Sequence, residues 1–220
     1  MSSYIKFASL AEKAGFPNVI DAEKAFSFRF GVEEGKFATP EVQKVPGRIQ
    51  TWNKERTELW QASPELYAAN RRSPYLGWDK FRPHILRGFE IYSQTAKPKS
   101  ATALVLTYIN QIEVEKNNKP SDYVVFLPEE MPYADNTLDF SRHTEQSFRD
   151  GDKIAILAGK NKAPESSLNS VVLTIIYTAI EPKIDVTNFK ARIDKGHGRI
   201  IDAFEQSISD LQRKEMEVYG

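Results

Sequence analysis

The chain is predicted to fold as an α+β protein, with an antiparallel β-sheet carrying two long amphipathic helices. Three observations predict it. Several short runs alternate apolar with polar residues, the period of a strand with one wet face. Two longer stretches repeat their apolar residues every three or four positions, the period of a helix lying on a core. The order is strands, helix, strands, helix, and strands in runs pair antiparallel more readily than strands separated one by one by helices.

Residues 1–20 read as a helical or irregular lead-in broken by Gly15 and Pro17. Phe26, Phe28, Phe30 and Val32 then alternate with Ser27, Arg29 and Gly31 as a strand, and Gly31 to Pro46 reads as a turn-rich connection. Arg48–Asn53 and Leu66–Arg71 are two further strand candidates. After Pro74 the period changes. Trp78, Phe81, Ile85, Phe89 and Tyr92 form one apolar stripe, with Pro83 early enough in the helix for its missing N–H to cost little. Trp78 opens this stripe and is expected to be its buried anchor.

A long strand follows from Leu104, with Leu106, Tyr108, Ile112 and Val114 on the same face and Asn110 interrupting it. Residues 116–137 read as loops around the short apolar run Tyr123–Leu127. Leu138–Phe148 reads as an exposed strand, and Ile154–Leu157 and Val171–Ile180 as buried ones, joined across the turn-rich segment Lys160–Pro164. The last element is a single helix, with Phe189, Ile193, Ile200, Phe204, Ile208 and Leu211 on its stripe and Asp185 or Thr187 as its cap. The expected organisation is one α+β domain over 1–220. Within it, segments 21–96 and 101–215 each read as strands followed by one long helix, although no sequence repeat is visible.

Composition places the chain among soluble globular proteins: 40% of its 220 residues are hydrophobic and 27% charged. No apolar run approaches the roughly 18 residues of a membrane span. The start, Met1–Phe7, lacks the basic end and apolar stretch of a signal peptide, so a cytoplasmic location is expected. With no cysteine, disulfides and thiolate chemistry are excluded. Net charge is zero but unevenly spread: residues 44–99 carry eleven basic against five acidic groups, and residues 100–220 fourteen against nineteen. The basic segment could attract an anionic ligand, face the acidic half within one fold, or pair with it in a homo-oligomer.

Little in the sequence points to catalysis. There is no glycine-rich phosphate loop and no nucleophile elbow. His84, His143 and His197 are too far apart to make half of a metal site, so no metal and no cofactor is expected. Glu33-Glu34 and Glu129-Glu130 read as solvated charge.

Two groups of residues are binding candidates. The first is the basic, aromatic junction Asn70, Arg71, Arg72, Tyr75 and Arg82, which offers guanidinium groups beside rings. It could contact nucleic acid by stacking and phosphate pairing, but zero net charge lacks the basic footprint of such proteins. As structural residues, at least two of Arg71, Arg72 and Arg82 should meet carboxylates or carbonyls of the acidic C-terminal half. The second group is Tyr108, Asn110 and His197, polar residues on apolar faces of a strand and a helix. Buried polar groups there need partners. They either pin the sheet to the helix or line a pocket between them. Gly196 and Gly198, flanking His197, each cost a helix roughly 1 kcal/mol, so close approach of another backbone or a ligand, or a local kink, is expected there.

Three segments resemble a sporadically distributed, uncharacterised bacterial family of about 220–260 residues. They are Ala22–Phe30; Asn70-Arg71-Arg72 and Tyr75-x-x-Trp78-x-x-Phe81-Arg82-Pro83, with Thr107–Ile112; and His197 followed by Phe204-Glu205-x-Ser207-Ile208-x-Asp210. The family often has arginine where this chain has Thr107, and usually lacks the glycines corresponding to Gly196 and Gly198. The resemblance implies no activity, only genes scattered among bacteria as mobile genes are. The expected function is therefore a non-catalytic protein-binding module, antitoxin-like or defence-associated. The alternative is a small-molecule binder or enzyme built on Tyr108, Asn110 and His197.

Overall fold

The computed structural model describes residues 3–22, 25–29, 32–33, 36–37, 41–45, 47–115, 118–125, 127, 141–161 and 169–219. Side chains are described over 5–20, 47–115, 118–125, 127, 142–159, 170–180 and 184–216. The chain divides into two compact units, Met1–Pro98 and Lys99–Gly220. Both are α+β: each has its own antiparallel sheet and its own long helix.

The first unit begins with helix α1 (Ser3–Lys13) and strand β1 (Asn18–Ala22). Two small ribbons follow, β2 (Ala25–Arg29) with β5 (Glu41–Val45), and β3 (Val32–Glu33) with β4 (Lys36–Phe37). The expected connection between Gly31 and Pro46 thus contains strands. Phe30, Gly31 and Pro46 themselves lie outside the described residues.

Strands β6 (Arg48–Trp52), β7 (Glu58–Ser63) and β8 (Leu66–Arg71) complete a sheet of order β1-β6-β7-β8. Helix α2 (Trp78–Ala96) packs on β8 and on α1. Asn53 makes the β6–β7 turn: its Oδ1 accepts from the Thr57 and Glu58 amides at 2.9 and 3.0 Å.

Strand β7 was not foreseen. Its Leu59, Trp60, Ala62 and Ser63 are all buried, so both faces are covered and the polar alternation that marks a strand is lost. It carries the real anchor of this unit. Trp60 is fully buried, in a core with Phe7, Ala11, Phe16, Ile49, Ile91 and Tyr92. Trp78, the expected anchor, is only half-buried and meets Phe81 edge-on at 6.4 Å. It stands at the first helical position, beyond the edge of the sheet-facing stripe Phe81, His84, Ile85, Gly88, Ile91 and Tyr92.

The second unit opens with β9 (Ser100–Val114), then a short helix α3 (Pro120–Tyr123), β10 (Ser141–Ser147), β11 (Lys153–Asn161) and β12 (Asn169–Asp185). The sheet order is β10-β11-β12-β9, all antiparallel. Leu138 to Phe140, part of the expected exposed strand, and Lys162 to Pro164 of the expected turn lie outside the described residues.

Asp185 accepts the Thr187 amide at 2.9 Å and starts a 3-10 turn, Val186–Asn188, that leads into α4 (Phe189–Ser207). Helix α4 packs on β12, β9 and β11. The single last helix expected from the stripe is two. The chain is extended at Ile208, which bridges to Val124, and resumes as α5 (Asp210–Tyr219). Ser209 starts α5 by accepting the Gln212 amide at 3.2 Å.

Among the described residues, no helix is long and apolar enough to cross a membrane.

Candidate functional site

Strand alternation divides the basic junction. Arg71 lies in register with Glu58, and Asn70 with Leu59, so neighbours along β8 point to opposite faces of the sheet. Arg71 turns toward α2. Its guanidinium pairs with Glu58, and its Nε donates to the Pro74 carbonyl at 3.4 Å. Glu58 belongs to the same hairpin, so the partner of Arg71 comes from its own unit and not from the acidic C-terminal half.

Behind this pair lies His84, on the helical side of the sheet. Its ring is part of an aromatic stack with Trp60 at 5.2 Å and Phe81 at 5.9 Å, and its Nδ1 is 3.8 Å from Glu58. Burial, and then the Arg71 charge, lower its pKa to about 4. Tyr75 is half exposed, edge-on to Phe81 at 6.2 Å, and Arg82 is half-buried one turn into α2.

Asn70 and Arg72 line a groove of about 430 Å³ with Gln50, Trp52, Thr57 and Leu59, and atoms of Arg71 line it too, although its guanidinium is turned to Glu58. The Arg72 guanidinium lies over the Trp52 ring at 4.6 Å, a cation–π contact. The Arg72 amide donates to Thr57 at 2.8 Å, which extends the β7–β8 ladder past its last pair and fixes the side chain above the groove. Trp52 is only 9% exposed, and its indole N–H has no acceptor among the described residues. A buried donor left unsatisfied costs roughly 1–3 kcal/mol, so a ligand atom that supplied an acceptor would recover it. Trp52 was missed from sequence because it closes a strand read only for its alternation.

Tyr108, Asn110 and His197 are positioned by β9 and α4. The Tyr108 hydroxyl and His197 Nδ1 are hydrogen-bonded at 3.1 Å, joining sheet to helix. Asn110 bonds sideways, its Nδ2 donating to the Leu173 carbonyl of β12 at 3.2 Å. The structure therefore brings Tyr108 and His197 together, while the amide of Asn110 is engaged with its neighbouring strand.

A charged cluster beside them escaped the sequence reading. Gly151, at φ 86°, turns the chain between β10 and β11 and sets Asp150 and Asp152 on either side. Asp152 is 1% exposed and receives the Tyr177 hydroxyl at 2.7 Å, Lys195 at 2.8 Å and Arg199 at 2.5 Å. Arg199 also bonds Asp150 at 2.6 Å and lies over the Phe148 ring at 3.7 Å. Burial pushes the Asp152 carboxyl up, but Lys195 and Tyr177 together hold it below the usual aspartate value. The signal was present as Asp150-Gly151-Asp152 in a hairpin turn, and as Arg192, Lys195 and Arg199 at helix spacing.

Among the described residues, no three His, Asp or Glu side chains are placed to hold a metal ion. The chain matches no family model, no curated protein and no solved structure.

Proposed function

We propose that the protein is a non-catalytic module that binds another polypeptide through the groove of its first unit. The observation that carries this reading is the Trp52–Arg72 pair: among the described residues, a buried indole N–H without an acceptor, beneath a guanidinium whose contact is a ring and not a carboxylate. A backbone carbonyl or carboxylate would serve the indole, an acidic side chain would serve Arg72, and the Asn70 and Gln50 amides suit the polar backbone of an extended segment. The preferred ligand is therefore an extended peptide bearing Asp or Glu. The scattered bacterial family that the sequence resembles makes the product of a neighbouring gene, as in an antitoxin-like or defence-associated pair, the first partner to try.

The test is selection from a displayed peptide library, with the protein and its Arg72→Glu variant as separate baits. Arg72 is exposed, so the variant should keep its fold. The reading expects acidic peptides enriched on the natural protein, lost on the Arg72→Glu bait and weakened at least tenfold by Trp52→Phe, which keeps the ring and removes the N–H. No enrichment, or equal enrichment on both baits, contradicts it.

A further inference from the structure

The two edges of the second unit's sheet are built differently. Strand β10 at one edge is polar throughout, Ser141-Arg142-His143-Thr144-Glu145-Gln146-Ser147, the kind of charged edge that resists pairing with another chain. Strand β9 at the other edge has none of these protections. From Ser100 to Ile112 it carries no charge and no proline, and among the described residues it has a strand, β12, on one side only. Its even-numbered residues face α4, with Leu104, Leu106, Ile112 and Val114 buried. Its outer face carries exposed apolar residues: Val105 is 56% and Ile109 72% exposed, and Ile180 on β12 is 59% exposed.

The outward residues are arranged about Thr107. Val105 and Ile109 stand two positions to either side, Ala103 and Gln111 four, Ala101 and Glu113 six, and Lys99 and Glu115 eight. A second β9 laid antiparallel along the first, with the two-fold axis through Thr107, therefore sets Val105 against Ile109 twice and Lys99 against Glu115 twice. Directly opposed residues share a face in antiparallel pairing, and apolar and opposite-charge pairs of this kind stabilise it. Shifting the register by two residues sets Ala103 against Ile109, or Val105 against Gln111, and loses one match or both.

We infer that β9 is a homodimer interface. Two copies join edge to edge in antiparallel register about Thr107, making one continuous sheet from two four-stranded ones. The partner is a second copy because the strand complements itself in charge, basic at its start and acidic at its end, and in its apolar residues, Val105 against Ile109. This goes beyond the peptide groove, which lies in the other unit and is tested separately.

Ultracentrifugation of the full chain at tens of micromolar should give twice the 25.1 kDa mass of the chain. Because the chain has no cysteine, single substitutions report the register. Opposed Cα atoms about 4.5–5.5 Å apart lie within disulfide reach, so Thr107→Cys should form a covalent dimer under mild oxidation. Ala103→Cys should not, since its two copies would stand roughly 27 Å apart along the strands. Thr107→Lys, which places like charges on the axis at an exposed position, should give a monomer with unchanged circular dichroism. A monomeric natural chain, or cross-linking at Ala103 equal to that at Thr107, would overturn the inference.

Discussion

The two units solve the same packing problem with the same device and then secure it by different chemistry. In each, a long helix has a glycine on its buried face, and an aromatic side chain from an inner strand of the sheet fills the place where a Cβ would stand. A Cβ on Gly88 would lie 2.5 Å from Trp60 Nε1, and one on Gly196 2.5 Å from Tyr177 Cδ1. In the first unit the ring is then fixed by neutral bonds to helix carbonyls: Trp60 Nε1 donates to His84 at 3.1 Å and the Tyr67 hydroxyl to Ile85 at 2.8 Å. In the second, the Tyr177 hydroxyl reaches Asp152, and Asp152 holds the helix through Lys195 and Arg199. A helix secured by ions depends on its carboxylates staying charged. A helix secured by neutral groups depends on its buried histidine staying uncharged.

The largest expected effect tests the anchor of the neutral unit. Trp60→Ala removes a fully buried ring and two helix-facing contacts at once, and should cost about 3–5 kcal/mol in denaturant unfolding. Trp78→Ala should cost clearly less, because that ring is half-buried; equal losses would erase the distinction between them.

Next comes the ionic unit. Asp152→Asn keeps the shape and an acceptor for Tyr177, but withdraws the buried counter-charge from Lys195 and Arg199. Breaking such a pair on one side should cost about 3 kcal/mol, read as a lowered denaturation midpoint with an unchanged slope. A neutral outcome would mean that Asp150 alone holds the helix.

The smallest effect sharpens the glycine notch itself. Gly196→Ala should destabilise by about 1–3 kcal/mol, because the Tyr177 ring has no room to yield. Gly198→Ala, where no atom of the described residues lies within 4 Å, should stabilise by roughly 0.5–1 kcal/mol through helix propensity. The opposite signs, two residues apart on one helix, are the result to look for in thermal melts.

How much of this was legible followed from how directly each feature was written in periodicity. The α2 stripe and the alternation of β9 were plain, since a half-buried element repeats its apolar residues at its own period. Strand β7 was hidden because Leu59-Trp60 and Ala62-Ser63 are buried in adjacent pairs, which erases the alternation. The break at Ile208 was hidden for a different reason. Ile208 and Leu211 continue the stripe numerically, and the contrary signal was Ser209-x-x-Gln212, a helix-start pattern inside an apparently unbroken helix.

The candidate sites show the same limit. Asn70, Arg71 and Arg72 read as one basic cluster, and all three line the groove, but the strand period turns the Arg71 guanidinium away to Glu58. At Gly196 the close approach comes from the Tyr177 side chain, not from the backbone or ligand expected beside His197; Gly198 has no packing explanation among the described residues. The Asp152 network joins residues 25 to 47 positions apart. Each half carried a local signal, the Asp150-Gly151-Asp152 turn and the basic residues at helix spacing, but no local pattern could announce that the two halves meet.

The contrast between the two helices is tested most directly by hydrogen exchange of α2 as pH falls. His84 is held neutral at a folded pKa of about 4, against about 6.5 in an unfolded chain. The unfolded state therefore binds the proton first, and stability drains away as pH falls from 6.5 toward 4. Between pH 7 and pH 5 the loss should be about 2 kcal/mol. The carboxylate Asp152 has a lowered pKa, so its contribution is complete above the ordinary aspartate value of 3.8 and is lost only below it. Amide protection in residues 81–92, corrected for the intrinsic pH dependence of exchange, should fall by roughly thirtyfold over that interval. In His84→Phe, which keeps a ring in the stack with Trp60 and Phe81, that fall should vanish. If α2 loses the same protection with phenylalanine in place, the buried neutral histidine is not what ties the first helix to its sheet.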